Sequence, residues 1–428
     1  MTDSLRIEAT LLETGIRRVI QLDGAMTLAA VHDVLQTVFG WEDRHLHEFS
    51  DDEVSTSASL RWLDAEGLAE GFDGLPETEW SIASAFGASG GVLHYLYDFG
   101  DNWTHRLELL ATRPALDGEP MARVVAGELG AALEDSGGSS GYATAVEAWG
   151  DPTHPLREYA LSAPGPWRRF DPQLFDIDTV NDELAELDPV TAPTPMMPRL
   201  VADLDEGGAR AFRRYIAPVR RGPAPEPAEM ARFLHPYLWF IGRIGEAGVP
   251  VTDAGWLQPA FVREVMDELG WAVRYPATVR SESSTPPVRR MKENLRQLGL
   301  VRKYRGRLLP QAKTAEIVAT PERLWAYLAA AIGRLGVPAE VDATLLYAAE
   351  IALGGDGTGR DERVAFGLGA LGWQLRGEEW PSEADAAELT TTVRRIFAEL
   401  GEPRRPGSAV VATPIQRAFA RAIVLAAP

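Results

Sequence analysis

Residues 45–49 read HLHEF and residues 97–105 read YDFGDNWTH. Together they hold three imidazoles and several carboxylates. These are donors that hold a borderline divalent metal ion or pair as general acid and base. His45 and His47 are two apart and share a face if their segment is a strand, which suits a two-imidazole metal arm. Convergence of His45, His47, Asp98, Asp101 and His105 would give a metal site able to activate water, or an acid–base cluster. A structural reading also fits. Gly100, Asp101 and Asn102 are turn formers, and glycine accepts positive φ without penalty. YDFGDNWTH then becomes a hairpin whose flanking Tyr97, Phe99 and Trp103 cover a core. In that reading the histidines make ordinary structural hydrogen bonds.

A second group of residues suits phosphate contact. The chain has only three lysines, Lys292, Lys303 and Lys313, and all lie within residues 286–317. Val288, Met291, Leu295 and Leu298 recur at helical spacing there, and Gly299 is a stop. Arg289, Lys292 and Arg296 line another face, with Arg290 beside them. LVRKY–RG–RLLP then reads as a β-hairpin with a basic tip at Arg305-Gly306. Upstream, Phe261, Val262, Val265, Met266 and Leu269 mark another helix. Helix, loop, basic helix and basic hairpin is the order of a winged-helix module, in which the second helix enters a groove and the hairpin touches phosphates. The nucleic-acid candidates are Arg289, Arg290, Lys292, Arg296, Arg302, Lys303, Arg305 and Arg307. A docking surface for an acidic partner, including the N-terminal region of the same chain, is the rival reading. A solvated basic face is the third.

The elements that must carry these residues differ along the chain. LRIEATLL and IRRVIQL alternate as strands around the turn-like ETG. Leu28, Val31, Val34, Leu35, Val38 and Phe39 follow a helical period between an N-cap Thr27 and a stop at Gly40. Further strand-like runs follow, so residues 1–187 are expected to be an α+β domain with a mixed or antiparallel sheet. Residues 188–228 are rich in proline and read as a linker. Residues 229–317 would hold the winged-helix-like module. Residues 318–428 would be helical, opening with PERLWAYLAAAIGRL.

Charge separates the same regions. Residues 1–189 carry 11 Arg and Lys against 35 Asp and Glu, a balance of −24, whereas residues 190–428 carry 31 against 27, a balance of +4. Six of the seven histidines lie in the first part. The acidic part should repel nucleic acid unless a cation intervenes. There is no cysteine, hence no disulfide, thiol nucleophile or Cys-ligated zinc. No G-x-S-x-G elbow, H-E-x-x-H, Walker loop or dinucleotide fingerprint is present. No signal-like start or membrane-length apolar run is evident, so a cytoplasmic protein without membrane contact is expected.

With FGWEDRHLHEF and YDFGDNWTHRLELL in hand, residues 4–187 resemble the plasmid pRiA4b ORF-3-like family. SGGSSGY and the closing FDPQLFDIDTVNDEL follow in the same order. The resemblance implies a compact α+β domain encoded beside plasmid or insertion-element genes. It also implies a cysteine cluster in many members, whose positions here hold Val124, Ala131 and Ser136. Val and Ala cannot ligate a metal and Ser is a poor substitute for thiolate, so no metal is expected at these three. The C-terminal region is similar to the extension of longer members.

The expectation is therefore a non-enzymatic, mobile-element-associated protein that binds a protein or duplex DNA partner and needs no cofactor. The acidic domain would mask the basic module in one version of this reading. The alternative is a metal-assisted hydrolase using a divalent ion at the His/Asp cluster.

Overall fold

The computed structural model describes residues 3–56, 58–162, 170–187, 200, 204, 206–271, 281–355, 357–375, 380–400 and 411–426. The chain forms two compact units, Met1–Thr194 with Val201–Pro218 and Pro195–Leu200 with Val219–Pro428. Most of the proline-rich run 188–200 lies outside the described residues.

The first unit is built on a sheet of strands β1 (Asp3–Leu11), β2 (Ile16–Asp23), β3 (His47–Ser50), β4 (Arg61–Leu63), β5 (Leu75–Pro76), β6 (Val92–Tyr97), β7 (Trp103–Pro114) and β8 (Ala122–Glu128). Their order is β5-β4-β3-β6-β7-β1-β2-β8. Neighbours run antiparallel except β4 and β5, which are parallel, so the sheet is mixed. Period-two alternation puts Leu5, Ile7, Ala9 and Leu11 of β1 into the core, with Ile16, Ile20 and Leu22 of β2. Helix α1 (Leu28–Phe39) starts where the Thr27 side chain accepts from the Ala30 amide, and ends at Gly40 with φ 84°. Around the sheet lie α2 (Ala65–Ala69), α3 (Ile82–Ser89), α4 (Gly138–Gly150), α5 (Arg157–Ser162) and α6 (Ile177–Leu187).

YDFGDNWTH is a β6–β7 hairpin in which Tyr97 stands opposite Trp103. Its turn differs from expectation in two ways. The positive φ angles fall on Asp98 (57°) and Asn102 (59°), not on Gly100. The Asp98 side chain supports this, its Oδ1 accepting the Gly100 and Asp101 amides at 2.9 and 3.2 Å. Phe99 is 38% exposed and meets Phe72 edge-on, whereas Tyr97 and Trp103 are buried. His45 also lies outside the sheet, because β3 begins only at His47. The shared strand face expected for the two histidines therefore does not exist.

Part of the segment read as linker is a helix, Glu206–Ile216. Its prolines lie outside that helix, and Ala209, Phe212 and Ile216 are buried at helical spacing.

The second unit is mainly helical. The helix Pro227–Ile244 is followed by strand β9 (Val249–Pro250), the helices Pro259–Glu268 and Pro286–Gln297, and strands β10 (Val301–Tyr304) and β11 (Arg307–Pro310). The strands form an antiparallel sheet in the order β10-β11-β9. Arg305 and Gly306 link β10 to β11 with φ of 47° and 72°, the double positive φ of a tight hairpin turn. Helices Pro321–Ile332, Pro338–Leu353, Arg360–Ala370, Glu383–Leu389, Thr391–Glu399 and Pro414–Leu425 complete the unit. Thr320 and Thr413 cap two of them, as the Thr-Pro starts suggest. Trp325 and the rings of Phe233, Phe397 and Phe419 cluster in the core.

Candidate functional site

In the first unit the structure divides the expected five-residue site among different surroundings. His45 is the hub of one. Its Nε2 lies 2.9 Å from Asp135 Oδ1, 3.5 Å from Asp98 Oδ2 and 3.6 Å from Glu134 Oε1. Asp98 is held by its turn: Oδ1 faces the backbone amides, while Oδ2 lies toward His45. Glu134 is fixed at both oxygens, by the Tyr97 hydroxyl at 2.6 Å and the Glu42 amide at 3.0 Å. Burial pushes the Glu134 carboxyl up, and these hydrogen bonds offset part of that. Burial and the neighbouring Glu134 push the Tyr97 hydroxyl up as well. Asp101 turns away and accepts the Gly137 amide at 3.0 Å, tying the hairpin to the start of α4.

His47 belongs to a buried cluster instead. Its ring stacks on that of His32, with centroids 3.7 Å apart and planes 14° apart. His47 Nε2 meets Glu77 Oε2 at 2.9 Å. His32 uses both nitrogens, on the Tyr95 hydroxyl and on Asp43 Oδ1, each at 2.8 Å. Burial pushes the His32 imidazole down, against the opposing pull of Asp43. Burial pushes the Asp43 carboxyl up, but the hydrogen bond and charge of His32 and the charge of Arg210 outweigh this and hold it at about 2. Arg210, on the helix Glu206–Ile216, pairs with both Asp33 and Asp43.

His105 is a core residue. Trp41 Nε1 donates to its Nε2 at 3.1 Å, leaving Nδ1 to donate to the Tyr95 carbonyl, also at 3.1 Å. Both ring nitrogens are occupied, and burial pushes its pKa down to about 3. It is therefore neutral and closed to a metal ion. Glu77 and Arg210 were not among the sequence candidates. The one sequence signal for the second cluster is a histidine, His32, within the buried stretch of α1.

Of the three positions aligned with cysteines, Val124 lies buried in β8 opposite Ile20, its amide donating to Asn181. The segment containing Ala131 and Ser136 contributes Glu134 and Asp135 to the cluster around His45.

In the second unit, Arg296, Arg302 and Lys303 line an open groove with Gln297, Val301, Gln311 and Glu293. The guanidinium groups of Arg302 and Arg305 lie 5.3 and 5.1 Å from the centre of the exposed Tyr304 ring. Lys303 Nζ donates to the Asp253 carbonyl at 2.7 Å. Arg307 donates to the carbonyls of Ala247 and Gly248 at 2.7 and 2.6 Å. Arg289 lies 4.0 Å from Glu293, and the charge of Arg290 acts on buried Glu399. Lys292 is the correction here. It is buried, 2.5 Å from a fully buried Glu282, and donates to the Gly255 carbonyl at 2.9 Å. A buried carboxylate requires a paired charge, so this lysine turns inward and leaves the exposed face.

Comparison with known proteins places the first unit. The model of the plasmid pRiA4b ORF-3-like protein family matches residues 3–179. An uncharacterized protein, y4hQ, of Sinorhizobium fredii is 34% identical over 164 residues, which span 35% of this chain and 75% of that protein. The chain belongs to the plasmid pRiA4b ORF-3-like family. A solved structure, of a protein of unknown function from Methanosarcina mazei, aligns at a TM-score of 0.36 and 28% identity over 41% of this chain and 97% of that one. The pRiA4b ORF-3-like match includes every residue of the cluster around His45 and ends before the second unit begins. Among the described residues, no helix is long and apolar enough to cross a membrane.

Proposed function

We propose that this protein acts in the cytoplasm by binding, and that its second unit contacts duplex DNA through a winged-helix-like module. The observation carrying this reading is the basic groove between the end of the helix Pro286–Gln297 and strand β10. Arg296 and Arg302 are exposed there, and Arg305 stands exposed at the hairpin tip. Among the described residues none of the three makes an ion pair, so all are available to phosphate. Three helices and a three-stranded antiparallel sheet in the order β10-β11-β9 suit a module whose last two strands form a wing. The exposed Tyr304 adds an aromatic face between two guanidinium groups. A role in plasmid or mobile-element biology belongs to the same proposal, the family taking its name from a plasmid reading frame.

Salt dependence tests it. Fluorescence anisotropy of a labelled duplex with the full chain should show affinity falling as salt rises. The Arg296→Ala, Arg302→Ala, Arg305→Ala variant should flatten the log–log slope by about 0.9 per lost contact. Salt-independent binding, an unchanged triple variant, or no binding at low salt would each reject the proposal.

Of the five residues named for the hydrolase alternative only His45 and Asp98 stand together, since His47 and His105 have other partners and Asp101 holds a backbone amide. What survives around His45 points to a simpler property.

A further inference from the structure

We propose that His45, Asp98 and Asp135, with Glu134 beside them, bind one divalent first-row transition-metal ion.

Donor spacing is the first argument. An ion with ligands at ~2.1 Å holds neighbouring donors about 3.0 Å apart in octahedral and about 3.4 Å apart in tetrahedral geometry. The three carboxylate oxygens stand 2.9, 3.5 and 3.6 Å from His45 Nε2. The ligand atoms of His45, Asp98 and Asp135 all lie within 4.8 Å of one another. The distances from His45 Nε2 are those of donors sharing one ion, and small side-chain rotations would bring the two aspartate oxygens to the same centre.

Orientation is the second. The Asp98 oxygen tied to the Gly100 and Asp101 amides leaves its partner oxygen facing His45. Tyr97 and the Glu42 amide fix the two oxygens of Glu134, holding this carboxylate in place beside the imidazole. These supports come from the ends of the β6–β7 hairpin and the loop before α4, so three segments distant in sequence meet at one point.

Charge is the third. Three carboxylates surround a single imidazole, and among the described residues none of the three is ion-paired to an arginine or lysine. The buried cluster gives the contrast. His32, Asp33 and Asp43 also lie within metal-ligand reach, but Arg210 already pairs with both carboxylates and both His32 nitrogens are engaged. The His45 group lacks such a cation. It is also reachable, because Asp135 is 58% exposed at its side chain and His45 29%. Access from solvent leaves room for water to complete the coordination.

Donor chemistry selects the class. One imidazole nitrogen with carboxylate oxygens and no thiolate suits Zn2+, Co2+, Mn2+ or Ni2+, whereas Ca2+ favours an all-oxygen shell.

The test uses the full chain, stripped with chelator and dialysed against Zn2+ or Co2+. Elemental analysis should find one ion per chain, and Co2+ should add visible d–d absorption. His45→Ala and Asp135→Asn should each weaken binding at least about tenfold and remove the Co2+ spectrum, while melting unchanged in chelator. His235→Ala, remote in sequence, should keep both signals, and Ca2+ should not compete. Asp135→Asn is a near-isosteric change at an exposed position and decides the matter if His45→Ala fails to fold. Absence of bound Zn2+ and Co2+, or equal affinity and spectrum in Asp135→Asn, would overturn the proposal and leave His45 as a structural hydrogen-bonding partner of these carboxylates. The DNA experiment reads the other unit, so either proposal can fail alone.

Discussion

The two units bury ionisable groups in opposite ways. The first buries a base: His105 lies between Trp41 and the Tyr95 carbonyl, and burial lowers its pKa from 6.5 to about 3. The second buries an acid: Glu399 receives hydrogen bonds from Tyr237 at 3.1 Å and Asn294 at 2.8 Å, and burial raises its pKa from 4.5 to about 8. Near neutrality both side chains are uncharged, so neither places a bare charge in its core. The lesson is that the cores should answer a pH change with opposite sign.

That contrast supplies the largest expected effect. Between pH 6.5 and 3 an unfolded chain protonates His105 and the folded one does not, so the first unit loses stability as pH falls, on the order of 4–5 kcal/mol from this group. For Glu399 the folded chain retains the proton and the unfolded chain releases it above pH 4.5. The second unit therefore loses a similar amount as pH rises toward 8. Segment-resolved hydrogen exchange should show protection moving oppositely in the two units, and Glu399→Gln should flatten the second. Slopes of the same sign, or an unaltered Glu399→Gln profile, would erase the contrast.

A smaller effect separates two residues of one helix. Lys292→Met leaves Glu282 buried without its cation and should cost about 3–5 kcal/mol in denaturant unfolding. Arg296→Ala, on the exposed side, should leave stability unchanged within error and weaken only duplex binding. Equal stability losses would mean the helix has no distinct inner and outer faces.

The smallest tests the buried charges of the first unit. Asp43, held at about 2 against an ordinary 3.8, contributes stability that is present above pH 4 and fades as pH falls toward 2. Asp43→Asn should therefore cost about 2 kcal/mol at pH 7, and the difference from the parent should close in acid. A difference that persists at pH 2 would assign the loss to packing instead of charge.

Legibility followed the range of the interaction. The alternation of LRIEATLL, the Thr27 and Gly40 helix signals, and the Arg305-Gly306 hairpin tip are local, and each element formed where they stand. The helix Glu206–Ile216 was hidden among prolines that stand outside it. Arg18 gave no warning either: it sits fully buried on the core face of β2, its guanidinium donating to the carbonyls of Val38, Arg17, Glu128, Leu129 and Gly130 and stacked 3.7 Å from the Phe175 ring centre. Burial lowers its pKa to about 9, and those carbonyl partners lie more than a hundred residues downstream, next in sequence or in α1.

The sequence alone determined most of the elements, the charge asymmetry, the family motifs and the absence of thiolate chemistry, because each depends on residues near one another or on composition. Which histidine meets which acid was decided only by tertiary structure. A strand beginning two residues later than alternation suggests, and partners such as Glu77 and Asp135 brought from distant loops, sent His45, His47 and His105 to three different environments. A side chain's chemistry follows from its neighbours and its exposure to water, and folding sets both.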